Sequence, residues 1–124
     1  MSRNVAVGAV CLTLLLLPIV ALAAATANFQ GSCLGFSKNC DFNANLPAGN
    51  PSACSAGAFP TDYFWTFTNP SGTASGAQAT HKFTSTTATA KLDLLCSDGR
   101  DASLTRTICF GGGSGCIQPD IGYN

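Results

Sequence analysis

Tyr63-Phe64-Trp65-Thr66-Phe67 and Ala88-Thr89-Ala90-Lys91-Leu92-Asp93-Leu94-Leu95-Cys96 decide the fold of this chain. Side chains of an extended strand alternate between two faces with period two. In the first stretch this puts Tyr63, Trp65 and Phe67 on one face, with Phe64 and Thr66 on the other. In the second, Ala88, Ala90, Leu92, Leu94 and Cys96 point one way, and Thr89, Lys91, Asp93 and Leu95 the other. Neither stretch repeats its apolar residues at the 3.6-residue spacing of a helix. One apolar face and one mixed face is the mark of an antiparallel sheet with a single side against a core.

Weaker strand signals continue on either side. Phe29 to Leu34 reads as a first strand, and Cys40-Asp41-Phe42-Asn43-Ala44 as a second, with Cys40, Phe42 and Ala44 sharing a face. Asn45 to Pro60 carries three prolines, two glycines and Cys54, and is expected to be a long loop. Asn69-Pro70-Ser71-Gly72 and Ser97-Asp98-Gly99-Arg100 have turn composition. Ala79 to Thr84 and Ala102 to Phe110 supply further short strands, and Gly111 to Gly115 reads as a flexible stretch. About seven short strands with turn signals between them predict an all-β, immunoglobulin-like antiparallel sandwich.

The first residues belong to a different class. Arg3 is the only charge before Lys38, and Val5 to Leu22 is nearly all apolar, centred on Leu14 to Leu17. Ala21-Leu22-Ala23 follows, a small-x-small pattern repeated at Ala23-Ala24-Ala25 and Ala25-Thr26-Ala27. This is the composition of a secretory signal peptide, residues 1–25, with a cut expected between Ala23 and Ala27. Residues 28–110 then form the domain, and 111–124 a Gly-rich tail tethered by Cys116.

Six cysteines remain after such a cut: Cys33, Cys40, Cys54, Cys96, Cys109 and Cys116. An even number in a small secreted chain implies a disulfide framework. Zinc is not expected. The close pairs, Cys33 with Cys40 and Cys109 with Cys116, are spaced more widely than the usual Cys-x2-4-Cys, and His81 is the only histidine. Lys38, Lys82, Lys91, Arg100 and Arg106 nearly balance Asp41, Asp62, Asp93, Asp98, Asp101 and Asp120, and there is no Glu. No basic stripe exists to follow phosphates, and no polybasic run to seek anionic lipid. Neither nucleic acid nor, in the mature form, a membrane is an expected partner.

Tyr63-Phe64-Trp65-Thr66-Phe67, Ala79-Thr80-His81-Lys82-Phe83 and Thr89 to Gly99 together resemble the PKD (polycystic kidney disease) domain. That family has a Tyr-x-Trp-x-Phe strand, a Thr-His-x-aromatic strand and an alternating strand ending in Asp and Gly. Cys40 to Ala44 is similar to its second strand, so the resemblance spans Phe29 to Phe110. It implies an immunoglobulin-like sandwich outside the cell, generally non-catalytic, used for adhesion, protein contact or substrate binding beside secreted hydrolases. The chain departs from the family at Asn43, Thr66, Thr68 and Asn69, which stand where acids are usual. Calcium needs several oxygen ligands with charge among them, so no calcium site, and no cofactor of any kind, is expected.

In such a sandwich the third and sixth strands are antiparallel neighbours. Tyr63, Trp65 and Phe67 then belong to the core, while Phe64 is brought beside Leu95 and Asp93 on the outer face. These three residues form the candidate binding patch. The same topology puts Cys54 near Cys96. Cys33 with Cys40 and Cys109 with Cys116 complete one pairing, and Cys33 with Cys109 is the alternative. His81 lacks a nucleophile and an orienting acid in any recognisable pattern, and no Gly-x-Ser-x-Gly elbow occurs, so no catalytic residue is assigned. The expected function is a secreted (extracellular or periplasmic) binding module whose partner is an extracellular protein or polysaccharide. The alternatives are an enzyme inhibitor acting through the Asn45 to Pro60 loop, or a structural module.

Overall fold

A computed structural model describes residues 24–119. Seven strands follow in order: β1 (Gln30–Cys33), β2 (Asn39–Asn43), β3 (Pro60–Phe67), β4 (Gly72–Ser75), β5 (Gln78–Lys82), β6 (Thr87–Cys96) and β7 (Asp101–Cys109). They form two antiparallel sheets, β1-β2-β5 and β4-β3-β6-β7. Neighbouring third, sixth and seventh strands facing a first-second-fifth sheet are the arrangement of an immunoglobulin-like sandwich. No helix occurs among the described residues. The signal peptide assigned to residues 1–25 falls almost wholly outside the described residues, as does Asp120.

The alternation in β6 is followed without exception. Ala88, Ala90, Leu92, Leu94 and Cys96 are buried, and the residues between them are not. β4 is the one strand with no signal of its own. Gly-Thr-Ala-Ser has no apolar alternation, and its pairing comes from β3, with Trp65 opposite Ala74 and Phe67 opposite Gly72. Tyr63 lies at the rim rather than in the core, half-buried against it. The opposing sheet is built of strands of four and five residues, which do not extend over the whole of the eight-residue β3.

Aromatic rings fill the space between the sheets. Phe42 on β2 lies 5.8 Å from Trp65, 5.4 Å from Phe67 and 6.3 Å from Phe83, ring centre to ring centre. Phe29 closes the cluster edge-on to Trp65 at 5.1 Å. Such pairs contribute about 0.5–1.5 kcal/mol each beyond the area they bury. The indole N–H of Trp65 donates to the Gly76 carbonyl at 2.8 Å, so burial leaves no polar atom unsatisfied.

Disulfides join Cys33 to Cys40, Cys54 to Cys96 and Cys109 to Cys116. The first staples the β1–β2 hairpin, where the two residues stand directly opposite. The second ties the 44–59 loop to the end of β6. The third folds the Gly-rich tail back, so that Ile117 bridges Ile108 in parallel and packs on the core. Gly31 makes room for this return, since a Cβ there would lie 3.0 Å from the Ile117 Cδ1 and 2.9 Å from the Phe42 ring. The tail thus covers part of the edge of β7, where an open strand would invite another chain.

Cross-linking stabilises mainly by restricting the unfolded chain, and more so for longer loops. The Cys54–Cys96 bridge spans a separation of 42 residues and the Cys109–Cys116 bridge one of 7. Replacing both cysteines of the longer bridge with alanine is expected to cost about 4 kcal/mol, against about 2 kcal/mol for the shorter. Urea unfolding of the two double variants measures the difference, and equal costs would contradict the loop-length account.

Candidate docking face

Loops 34–38, 68–71, 83–86 and 110–116 gather at one end of the sandwich. Hydrogen bonds join them there: Phe83 N–H to the Lys38 carbonyl, Thr84 N–H to that of Asn69, and Phe110 N–H to that of Thr86. Loops 44–59, 76–77 and 97–100 gather at the other end, joined by Ala44 N–H to the Ala77 carbonyl and Ser97 N–H to that of Phe59.

The outer face of the four-stranded sheet reads as rows of cross-strand partners. Toward the 34–38 end the rows are hydroxylated. Thr73, Thr66, Lys91 and Thr105 form one, and Thr89 with Thr107 the next, which Thr68, just past β3, joins through its backbone hydrogen bond to Thr89. Thr68 and Thr89 share a hydrogen bond between their hydroxyls at 3.0 Å. Toward the other end the chemistry changes. Ser75, Phe64, Asp93 and Ser103 form one row, and Asp62, Leu95 and Asp101 the next. Phe64 is directly opposite Asp93, and Leu95 is one row on. The three predicted patch residues therefore lie together.

Phe64 is 46% exposed and Leu95 42%, so the long loop before Asp62 does not cover them. Together they line a depression of about 390 Å³ whose rim includes Asp62, Asp93 and Asp101. Lys91 approaches Asp93 at 3.7 Å, both well exposed, a pair that contributes at most about 1 kcal/mol. The carboxylates are not grouped for a cation. Among the described residues no cluster of three or more His, Cys, Asp or Glu side chains is placed to hold a metal ion.

Asp62 and Asp101 are not part of the patch expected from the sequence, where Asp101, like Asp98, reads as a residue of the turn. Asp62 has the parity of Phe64 in its own strand, a signal that was available. Asp101 joins through the register of β7 on β6, which only pairing fixes. Asp98 stays apart from the face, in the β6–β7 turn, accepting the Arg100 N–H at 3.1 Å.

His81 has a packing role. Its ring stacks on Phe67, centres 4.4 Å apart and planes 11° off parallel, and lies edge-on to Phe83 at 4.7 Å. Its Nε2 is 3.0 Å from the Pro70 carbonyl oxygen. Gly72 is the residue that admits it, since a Cβ there would come within 2.6 Å of the imidazole Cε1.

Fold and face together define a disulfide-stapled immunoglobulin-like sandwich with a small depression of mixed apolar and acidic lining on the outside of its larger sheet. No protein-family model matches the chain, and no curated protein matches it.

Phe64→Ser or Leu95→Ser removes a side chain that is partly in water already. Each is expected to change the unfolding free energy by less than about 1 kcal/mol. Trp65→Ala empties the centre of the aromatic cluster and should cost about 3–5 kcal/mol. Denaturant titration of the three variants checks the contrast, which fails if Phe64→Ser is as damaging as Trp65→Ala.

Proposed function

We propose that this chain is a secreted, non-catalytic binding module of the PKD type, which holds an extracellular protein or polysaccharide on the outer face of its larger sheet. The observation that carries this reading is the exposed Phe64–Leu95 pair in a shallow, carboxylate-rimmed depression, on a sheet face that is otherwise hydroxylated. Apolar side chains set in a concavity with a few polar groups around them are what a docking site requires. The rigid scaffold beneath reduces the ordering cost of binding.

Secretion is supported by three disulfides, which persist in oxidising compartments. Among the described residues no helix is long and apolar enough to cross a membrane. Thr26 and Ala53 exchange backbone hydrogen bonds at 2.8 and 2.9 Å, and Ala27 packs against the core. A cut after Ala23 or Ala25 keeps that bridge, and a cut after Ala27 destroys it. Intact mass of the exported protein should therefore give an N-terminus at Ala24 or Thr26. A mature chain that begins at Asn28, or one that retains Met1, would contradict this part of the reading.

Binding is tested by co-sedimentation of the oxidised exported protein with insoluble chitin, cellulose, peptidoglycan and collagen. Depletion by one of them, reduced at least tenfold by Phe64→Ser or Leu95→Ser, is the expected result. That loss corresponds to about 1.4 kcal/mol or more of affinity. Depletion that both variants leave unchanged would remove this face as the docking surface.

A further inference from the structure

The most exposed large apolar side chain among the described residues is not in the depression. It is Phe36, 90% exposed, at the tip of the loop from Leu34 to Lys38, with Leu34 beside it at 44%. An exposed leucine is ordinary, but a phenylalanine almost wholly in water on a built loop is not. The loop is held in shape. Cys33 and Cys40 are bridged at its base. The Leu34 N–H donates to the Asn39 carbonyl at 2.9 Å, and the Lys38 N–H to that of Leu34 at 2.8 Å. Lys38 adopts the left-handed conformation, φ 59°, that closes the turn.

We infer that this chain associates head to tail with a second copy of itself, the Phe36 tip of one molecule entering the Phe64–Leu95 depression of the next. The inference rests on the reading of that depression as a docking surface and names its occupant.

Charge complementarity selects a second copy. The tip is flanked by Lys38 and, opposite Asn39, by the exposed Lys82. No carboxylate occurs in loops 34–38, 68–71, 83–86 and 110–116 that share its end of the sandwich. The depression is lined by Asp62, Asp93 and Asp101; Lys91 approaches Asp93, and Arg100, next to Asp101, pairs with Asp98. Phe64 and Leu95 lie toward the end of the sandwich opposite to the Phe36 tip. Lysines at the tip and an excess of carboxylates at the depression attract copies tip to depression, and oppose tip to tip and depression to depression.

Geometry sets the kind of assembly. One rigid molecule cannot bring its own tip to its own depression, since they occupy opposite ends. A contact between two different surfaces closes on itself where the rotation between copies allows, a reciprocal antiparallel dimer being the smallest closed form, and otherwise runs on as an open chain. Because the tip and depression are both rigid, little ordering cost opposes the contact.

The test is sedimentation velocity on the exported, oxidised chain from micromolar to millimolar concentration, at low salt and at roughly 1 M salt, where screening acts within about 3 Å. The weight-average mass is expected to rise to that of a dimer or beyond at low salt and to fall back at high salt. Phe36→Ser, which changes only a loop tip in water, and Phe64→Ser should each weaken association by roughly tenfold to a hundredfold, as expected for losing one buried aromatic side chain. An equimolar mixture of the two variants retains one intact tip and one intact depression, and should form a one-to-one dimer that grows no further. A wild-type protein that stays monomeric throughout, or association indifferent to Phe36→Ser, would overturn the inference. Polymer co-sedimentation separates it from the reading beneath it. If the wild type is monomeric yet Phe64→Ser abolishes polymer binding, self-association fails and the docking face stands. If Phe64→Ser alters neither measurement, both fail.

Discussion

The contact of Phe42 with Trp65 and Phe67 is what the rest of the molecule depends on. It joins the middle of the two sheets, and no covalent bond does so there. Cys40 sits in the strand from which an immunoglobulin domain would send a disulfide across the core, but it pairs with Cys33 in its own sheet. The other two bridges act at the ends: Cys54–Cys96 beside the long loop, Cys109–Cys116 beside the tail. Stacked and edge-on rings therefore take the central place, and His81 extends the stack to the edge of the smaller sheet. A domain of this size buries a modest fraction of its surface, so this cluster and the end staples have to act together.

The exterior follows from the same packing. In a strand, fixing Trp65 and Phe67 inward fixes Phe64 and Thr66 outward. The residues that look outward are thus not free choices of position, only of chemistry. On most of the larger sheet that chemistry is threonine and lysine, which keeps the face wetted. At one end it is phenylalanine and leucine among aspartates. Stability does not require this change, because neither side chain is needed to fill the core. It is the change on which the proposed docking role rests.

The apolar tip at Phe36 has a similar logic. The bridge from Cys33 to Cys40 is buried on the core side, and it also holds the loop beyond it. The same covalent link therefore serves the fold and the presentation of a ring to solvent. Charge adds direction, with lysines around the tip and carboxylates around the depression, so the molecule has two unlike ends although its net charge is near zero.

The fold was largely legible in the sequence because its strands state their phase strongly. Trp65 and Phe67, the five alternating apolar residues of β6, and Cys40 with Phe42 and Ala44 each specify which face is buried. A shift of one residue would turn every one of them outward. The neighbourhood of Phe64, Asp93 and Leu95 could be read too, given antiparallel third and sixth strands. Other features have no local signal. β4 exists because β3 offers it an edge and because Gly72 lets the His81 ring approach. The return of Ile117 onto Gly31 is a contact between the two ends of the domain. Asp101 reaches the depression only through the register of β7. Local alternation by itself determined which residues are inside and which outside. Only the tertiary structure decided which outside residues are neighbours, because that depends on strand order and register, which are set by packing between segments far apart in the chain.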